Sequence, residues 1–348
     1  CLLSRGLGDV YKRQRQKWDY KTFTMNQREK IRELQSIIRK EVAPLITHDY
    51  VLWGLPYYPN IGDTLIWEGE LEFLKSVPYK CLGTCGWDEY EPIKLSKETV
   101  ILITGGGYFG DVWRKAWDAV LDTIEHYPDN PIVILPNTIF YEDVAVMQSD
   151  AHRMARLKHL TICVRDKVSY EIAKTHFKNE VRLVPDMAFC ISQKYLEQWR
   201  VNETEKTLFL KRIDKELGKG GEVHLDIPNL DIRDWPTMDG RASISERIFG
   251  RCRGLCYRSQ KYAVWFYPLA RKLEEKCGYY LYRKCMTRRG VEFVSQYKAV
   301  YTTRLHVMIL SVLLEKPVQF IDNSYGKLSS FYDTWLKNCR GVECYEKK

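Results

Sequence analysis

The chain has 348 residues, 45% hydrophobic and 28% charged, with a formal net charge of +9. That length supports two ordinary domains with cores of their own, and no apolar run approaches the ~20 residues that crossing a bilayer takes, so a soluble globular protein is expected. Eleven cysteines, irregularly spaced and largely within apolar segments such as those of Cys163 and Cys190, do not make a disulfide framework, and a reducing cytoplasm is the expected setting.

In chain order, residues 1–24 lack periodicity and have no signal-peptide core, and they read as a leader that is not part of the fold. Met25 would then be the natural start. Asn26 followed by Glu29 is a capping-box pattern, opening a helix with Ile31, Leu34, Ile37 and Ile38 on one face. Strand-like runs follow at 50–53, 99–104, 132–135, 161–164 and 181–184, separated by helix-length segments, as in a parallel sheet covered on both faces. A polar, helical connection is expected at 191–206. A second series runs from 207–210 to 318–321. The pattern predicts an α/β protein of two Rossmann-like, doubly wound domains facing a cleft, 25–195 and 196–330, followed by a C-terminal helix and tail at 331–348.

Ligands of such sheets bind beyond the carboxyl ends of the strands. After the first strand comes Tyr58-Pro59-Asn60-Ile61-Gly62-Asp63-Thr64, leading into a helix with Asp63 near its N-cap. After the second comes Gly105-Gly106-Gly107, which allows close approach of a ligand or another backbone. Gly105, Gly107 and Gly110 have the spacing of a dinucleotide fingerprint, but no acidic residue ends the next strand, so a nicotinamide enzyme is not expected. Arg165-Asp166-Lys167-Val168-Ser169 follows the fourth. In the second series, 299–302 reads as strand, 306–314 as helix and 317–321 as the next strand, which places Arg304 and His306 at a helix N-terminus. Unpaired N–H groups and the helix dipole favour an anion there, and a guanidinium adds a forked donor. The plain alternative is that Arg304 pairs with a structural carboxylate and His306 caps the helix.

Residues 211–300 carry 19 Lys/Arg against 11 Asp/Glu, nearly the whole surplus. Within them, 255–277 interleaves aromatic residues with Arg258, Lys261, Arg271 and Lys272, as helices lying on an anionic membrane do; a solvated face packed through Val264, Phe266 and Leu269 is the alternative. No motif for nucleic acid accompanies the charge. Cys81/Cys85, Cys252/Cys256 and Cys339/Cys344 lack zinc-knuckle spacing, and no metal is expected.

Asn60-Ile61-Gly62-Asp63, the Gly105–Gly107 triplet, Arg165-Asp166 with Ser169, Val184-Pro185-Asp186, Lys211-Arg212-Ile213-Asp214-Lys215-Glu216, Thr303-Arg304-Leu305-His306 and Asp322-Asn323-Ser324-Tyr325-Gly326-Lys327 occur in an order that resembles the polysaccharide pyruvyl transferases. The resemblance spans roughly 50–338, with 218–297 a long basic, aromatic departure from it. It implies a GT-B-like pair of domains, phosphoenolpyruvate as donor and co-substrate with no other cofactor, and a pyruvate ketal formed on a sugar or lipid-linked oligosaccharide. It further implies an enzyme that works in the cytoplasm or peripherally at the inner face of the membrane. On this reading Arg304, Arg165 and Arg212, with Leu305, bind the donor. His306 is the acid, Asp63 is a base or a helix cap, and Asn60, Gly62, Gly105, Gly106 and Gly107 form acceptor-side loops. A GT-B glycosyltransferase using a nucleotide sugar and a non-catalytic polysaccharide or membrane-surface binder are the alternatives.

Overall fold

A computed structural model describes residues 24–90, 93–213, 225–238, 240, 242–322 and 326–345. The leader up to residue 23, Asp214-Lys215-Glu216 and Asn323-Ser324-Tyr325 lie outside the described residues.

Among the described residues, twelve strands form two parallel sheets. The first holds β1 (Tyr50–Leu55), β2 (Cys81–Gly86), β3 (Val100–Ile103), β4 (Gly106–Gly110), β5 (Ile132–Phe140), β6 (Leu160–Val164) and β7 (Glu180–Leu183), in the order β2-β1-β3-β5-β6-β7 with β4 paired to the far end of β5. The second holds β8 (Thr204–Leu210), β9 (Leu230–Arg233), β10 (Tyr297–Thr302), β11 (Val318–Phe320) and β12 (Val342–Cys344), in the order β12-β11-β10-β8-β9. The central strands are apolar throughout because helices cover both faces. Every residue of Tyr50–Leu55 and of Val100–Ile103 is buried. In each sheet the chain reverses its direction of winding once, between β1 and β3 in the first and between β8 and β10 in the second, and such a reversal opens a crevice outside the carboxyl ends of the strands.

The amino-terminal helix Gln27–Val42 has the expected capping box, with Glu29 N–H donating to Asn26 Oδ1 at 2.9 Å, and buries Ile31, Leu34 and Ile38. One hydrophobic core runs from Leu65 in the helix Ile61–Leu74 through Met286 to Leu310, and so joins the two sheets' layers. The same helices share an ion pair. Glu68 accepts from Arg283, both nearly fully buried, and the guanidinium lies 4.6 Å from the Tyr279 ring centroid.

Four strands were not anticipated. β2 and β4 carry two and three glycines, β9 and β12 are three or four residues long, and none has the β-branched run that marks the central strands. The connection 191–206 contains only the short helix Gln193–Glu197, and β8 already begins at Thr204. The segment 255–277 is two helices, Ile244–Tyr262 and Tyr267–Cys277, broken where Pro268 opens the second. Of the basic residues expected on its surface, Arg271 is instead tied inward, to Glu89 at 2.8 Å and Glu274 at 3.3 Å. Nor do Val264 and Leu269 pack, at 69% and 60% exposed.

Candidate active site

The helix Ile61–Leu74 begins at the β1 end of the first crevice. Asn60 is its N-cap, accepting from Gly62 N–H at 2.9 Å, so Asp63 is not the cap. Asp63 Oδ2 instead accepts from Tyr58 Oη at 2.9 Å and Asn60 Nδ2 at 2.6 Å, which leaves Oδ1 without a partner among the described residues. Gly62 faces the opposite sheet. A Cβ at this position would lie 2.6 Å from His306 Nδ1, so only glycine lets this loop meet the histidine.

His306 follows β10, one residue inside the helix Leu305–Leu313, and is not a cap. Its Nε2 lies 3.4 Å from Asp186 Oδ2 and 3.4 Å from Arg165 Nη1. Asp186 comes from beyond β7 and is held rigidly, accepting from Ala188 N–H at 2.9 Å and from Arg165 Nη1 at 2.6 Å. Burial alone would raise its carboxyl, but the hydrogen bond from His306 and the charges of Arg165 and His306 outweigh that and hold it well below the usual carboxylate range. Asp186 is thus a fixed carboxylate between the Arg165 guanidinium and the His306 imidazole.

Arg165 ends β6 and is 0% exposed. Its Nε donates to Thr138 Oγ1 at 2.9 Å and its Nη1 to Asp186, while Nη2, also buried, has no partner among the described residues. The neighbouring motif residues have structural tasks. Asp166 caps the helix Lys167–His176 through Ser169 N–H and accepts from Ser330 Oγ at 2.9 Å, fastening the second layer to the first. A Cβ on Gly107 would meet Arg165 Nη2 at 3.1 Å and would collide with Lys327 Nζ, so both cations crowd this glycine. Lys327 opens a helix behind Gly326, whose φ is +76°, and Asp322 accepts from Leu328 N–H at 3.0 Å to fix that turn.

The Gly105–Gly107 run serves different ends. A Cβ on Gly105 would lie 2.7 Å from the Pro136 carbonyl, a packing need, and its N–H donates to Glu70 Oε1 at 2.7 Å; a Cβ on Gly106 would press on the Tyr108 ring. Glu70 is fully buried beneath this loop and also accepts from Thr104 Oγ1, and burial pushes its carboxyl up to about 8. Gly107 faces cations.

Arg304 behaves differently from His306. Its Nε and Nη2 grip Asp234 at 2.5 and 2.6 Å, a bidentate pair at the end of β9. Two of the donors expected to clamp an anion are therefore committed to a carboxylate. Arg212 is buried at the end of β8, with its N–H donating to Thr303 Oγ1 at 2.9 Å. The Leu305 side chain belongs to the core, so only its backbone can face the crevice. The structure thus brings together Gly62, Gly107, Arg165 and His306, with Arg304 and Arg212 anchored at the neighbouring strand ends. Asp186 and Lys327 stood in the motifs without an assigned role.

The model of the polysaccharide pyruvyl transferase family matches residues 60–325, from the Asn60 loop to the edge of the Lys327 turn. The chain belongs to this family. It is 29% identical over 322 residues to the putative pyruvyl transferase EpsO of Bacillus subtilis, covering 92% of this chain and 93% of that protein. It is 25% identical over 300 residues to pyruvyl transferase 1 of Schizosaccharomyces pombe, covering 83% and 70%. General stress protein 30 of B. subtilis is 24% identical over 307 residues, covering 85% and 80%. Membership of the polysaccharide pyruvyl transferase family supplies the reaction class, pyruvyl transfer.

Proposed function

We propose that this pyruvyl transferase uses phosphoenolpyruvate as donor and forms a pyruvate ketal on a sugar of an exopolysaccharide or capsule precursor, free or lipid-linked. Each sheet with its helices is read as one domain of a GT-B-like pair, with the reaction between them. The observation that carries the reading is Arg165. Its buried Nη2 has no partner among the described residues and shares the face of Gly107 with Lys327 Nζ, beside a histidine held against a carboxylate. A molecule bearing a carboxylate and a phosphate on three carbons needs such a concentration of cationic donors.

On this reading the imidazolium of His306 gives a proton to C3 of the enol, which leaves C2 with oxocarbenium character. One sugar hydroxyl adds to C2 and loses its proton. A second hydroxyl then replaces the phosphate, so that two C–O bonds are made to C2 and one is broken. Asp186 faces Nε2 and stabilises the imidazolium, which leaves Nδ1, beside Gly62, as the nitrogen that exchanges a proton with substrate. Asp63, with Oδ1 available one residue further on, accepts the acceptor hydroxyl's proton.

The test supplies carbon-labelled phosphoenolpyruvate, or a labelled nucleotide sugar, with glycan acceptors. Acid-labile ketal label from phosphoenolpyruvate alone supports the reading; label from the nucleotide sugar would make the protein a glycosyltransferase. Thermal shift in the same mixtures is expected to rise with phosphoenolpyruvate, by roughly 2.7 kcal/mol of stability at 100 times its Kd.

A further inference from the structure

The helices Ile244–Tyr262 and Tyr267–Cys277 form a hairpin whose inner face is closed by Phe249, Cys256, Ala270 and Glu274. It is bolted to the first sheet. Arg253 donates to the Tyr57 carbonyl at 2.8 Å and to Asp88 at 2.7 Å, and Arg271 donates to Glu89 at 2.8 Å. With that face satisfied, the outer one should be polar. It is not.

Ile248, Leu255 and Tyr262 recur every seven residues and so stack in one stripe of the first helix, and all three are exposed. Leu269 and Leu273, four residues apart and so on one face of the second helix, are exposed as well. The turn between them carries Val264 and Trp265, and Trp265 is 85% exposed. Arg251, Arg258, Lys261, Lys272 and Lys276 are exposed on the same hairpin. Its carboxylates are engaged: Glu274 is buried, Glu246 pairs with Arg289, and Glu275 lies 3.4 Å from Arg271.

We propose that the outer face of this hairpin docks on an anionic lipid bilayer, with Trp265 and Val264 at the headgroup boundary and the cations over the phosphates. Exposed aliphatic stripes, an aromatic tip and cations without free carboxylates are the pattern of an interfacial helix pair. A second copy of the chain fits poorly, because a two-fold contact would set these cations against themselves. An acidic glycan would meet the cations but not the aliphatic stripes. The inference is independent of the chemistry proposed for the His306 cluster.

Co-sedimentation of the full chain with phosphatidylglycerol-containing vesicles and with pure phosphatidylcholine vesicles tests it, with no substrate present. Partitioning is expected to favour the anionic vesicles by about tenfold or more and to fall steeply as salt rises from about 0.05 to 0.5 M. Trp265→Ser, and separately Lys261→Glu with Lys272→Glu, should each lower partitioning about tenfold with unchanged melting temperature. Equal recovery on both lipids, or binding indifferent to salt and to these substitutions, overturns the proposal. So does a lipid-free dimer in sedimentation velocity that Trp265→Ser abolishes, which would assign the face to a second copy.

Discussion

His306 Nε2 lies 3.4 Å from Asp186 Oδ2, although one residue follows the third strand of the second sheet and the other follows the last strand of the first. The pairing ties the state of the histidine to how the two sheets are set against each other. Asp186 cannot swing away, because Arg165 and the Ala188 N–H hold its two oxygens. A histidine in such a setting keeps its orientation through the approach of substrate.

Asp186→Asn keeps the shape but removes the charge between Arg165 and His306. Breaking a buried pair in this way should cost about 3 to 5 kcal/mol of stability and lower turnover along with it. The sign of the pH effect follows from the depressed carboxyl. The wild-type contribution is present above the unfolded value near ~3.9 and is lost as pH falls through the lower folded value. Melting curves from about pH 3 to 7 should therefore show the Asn variant losing less on acidification; parallel curves would deny Asp186 its ionic role.

His306→Gln is expected to lower kcat by about 10²- to 10⁴-fold while phosphoenolpyruvate affinity changes less. Calorimetric titration of the donor against steady-state turnover separates the two effects. Loss of affinity with surviving turnover would make His306 a binding residue.

How far the sequence discloses this arrangement differs from part to part. β1, β3 and β6 are legible because a strand buried on both faces must be apolar along its length. Gly106–Gly110 reads as a loop because glycine carries no strand signal, yet pairing to the far end of β5 makes it one. At the site, Arg165 and His306 are visible as polar residues at strand-to-helix junctions. Their contact is not, since 141 residues separate them and it depends on how the sheets pack. Arg304 at a helix N-terminus looks the same whether its fork awaits a ligand or grips Asp234, and the short β9 that delivers Asp234 has no pattern of its own.

Gly62→Ala should act through the histidine. The added methyl would lie 2.6 Å from His306 Nδ1, so either the ring or the Asn60 loop must shift. Displacement of about 1 Å at a reacting group commonly costs on the order of 10²-fold in rate. Turnover is expected to collapse while far-ultraviolet circular dichroism stays unchanged, and activity near wild type would show that the loop moves freely.

Glu70→Gln preserves the acceptor for Thr104 Oγ1 and Gly105 N–H but removes a carboxyl that burial pushes up to about 8. Because the folded value is raised, the wild-type contribution is full below the unfolded value near ~4.3 and is lost as pH rises towards and through 8. The Gln variant should melt a few degrees above wild type at about pH 9 and close to it at about pH 5. A constant difference across that range would mean that burial does not raise the Glu70 carboxyl above its unfolded value.

Arg165→Lys and Arg304→Lys give opposite expectations, because the two guanidiniums are used differently. Lysine at 165 keeps a charge near Asp186 but cannot present a second donor in the position of Nη2, the atom that has no partner among the described residues. Phosphoenolpyruvate binding should weaken by roughly 10- to 100-fold, equivalent to about 1.4 to 2.7 kcal/mol. Lysine at 304 breaks the two-pronged grip on Asp234, which is only 3% exposed, so its first effect should be a lower melting temperature with a smaller change in donor affinity. Titration calorimetry and thermal melts on both variants decide between them. If Arg304→Lys loses donor affinity at full stability while Arg165→Lys binds normally, the anion clamp lies at the helix N-terminus beside Arg304 and the Arg165 cluster is structural.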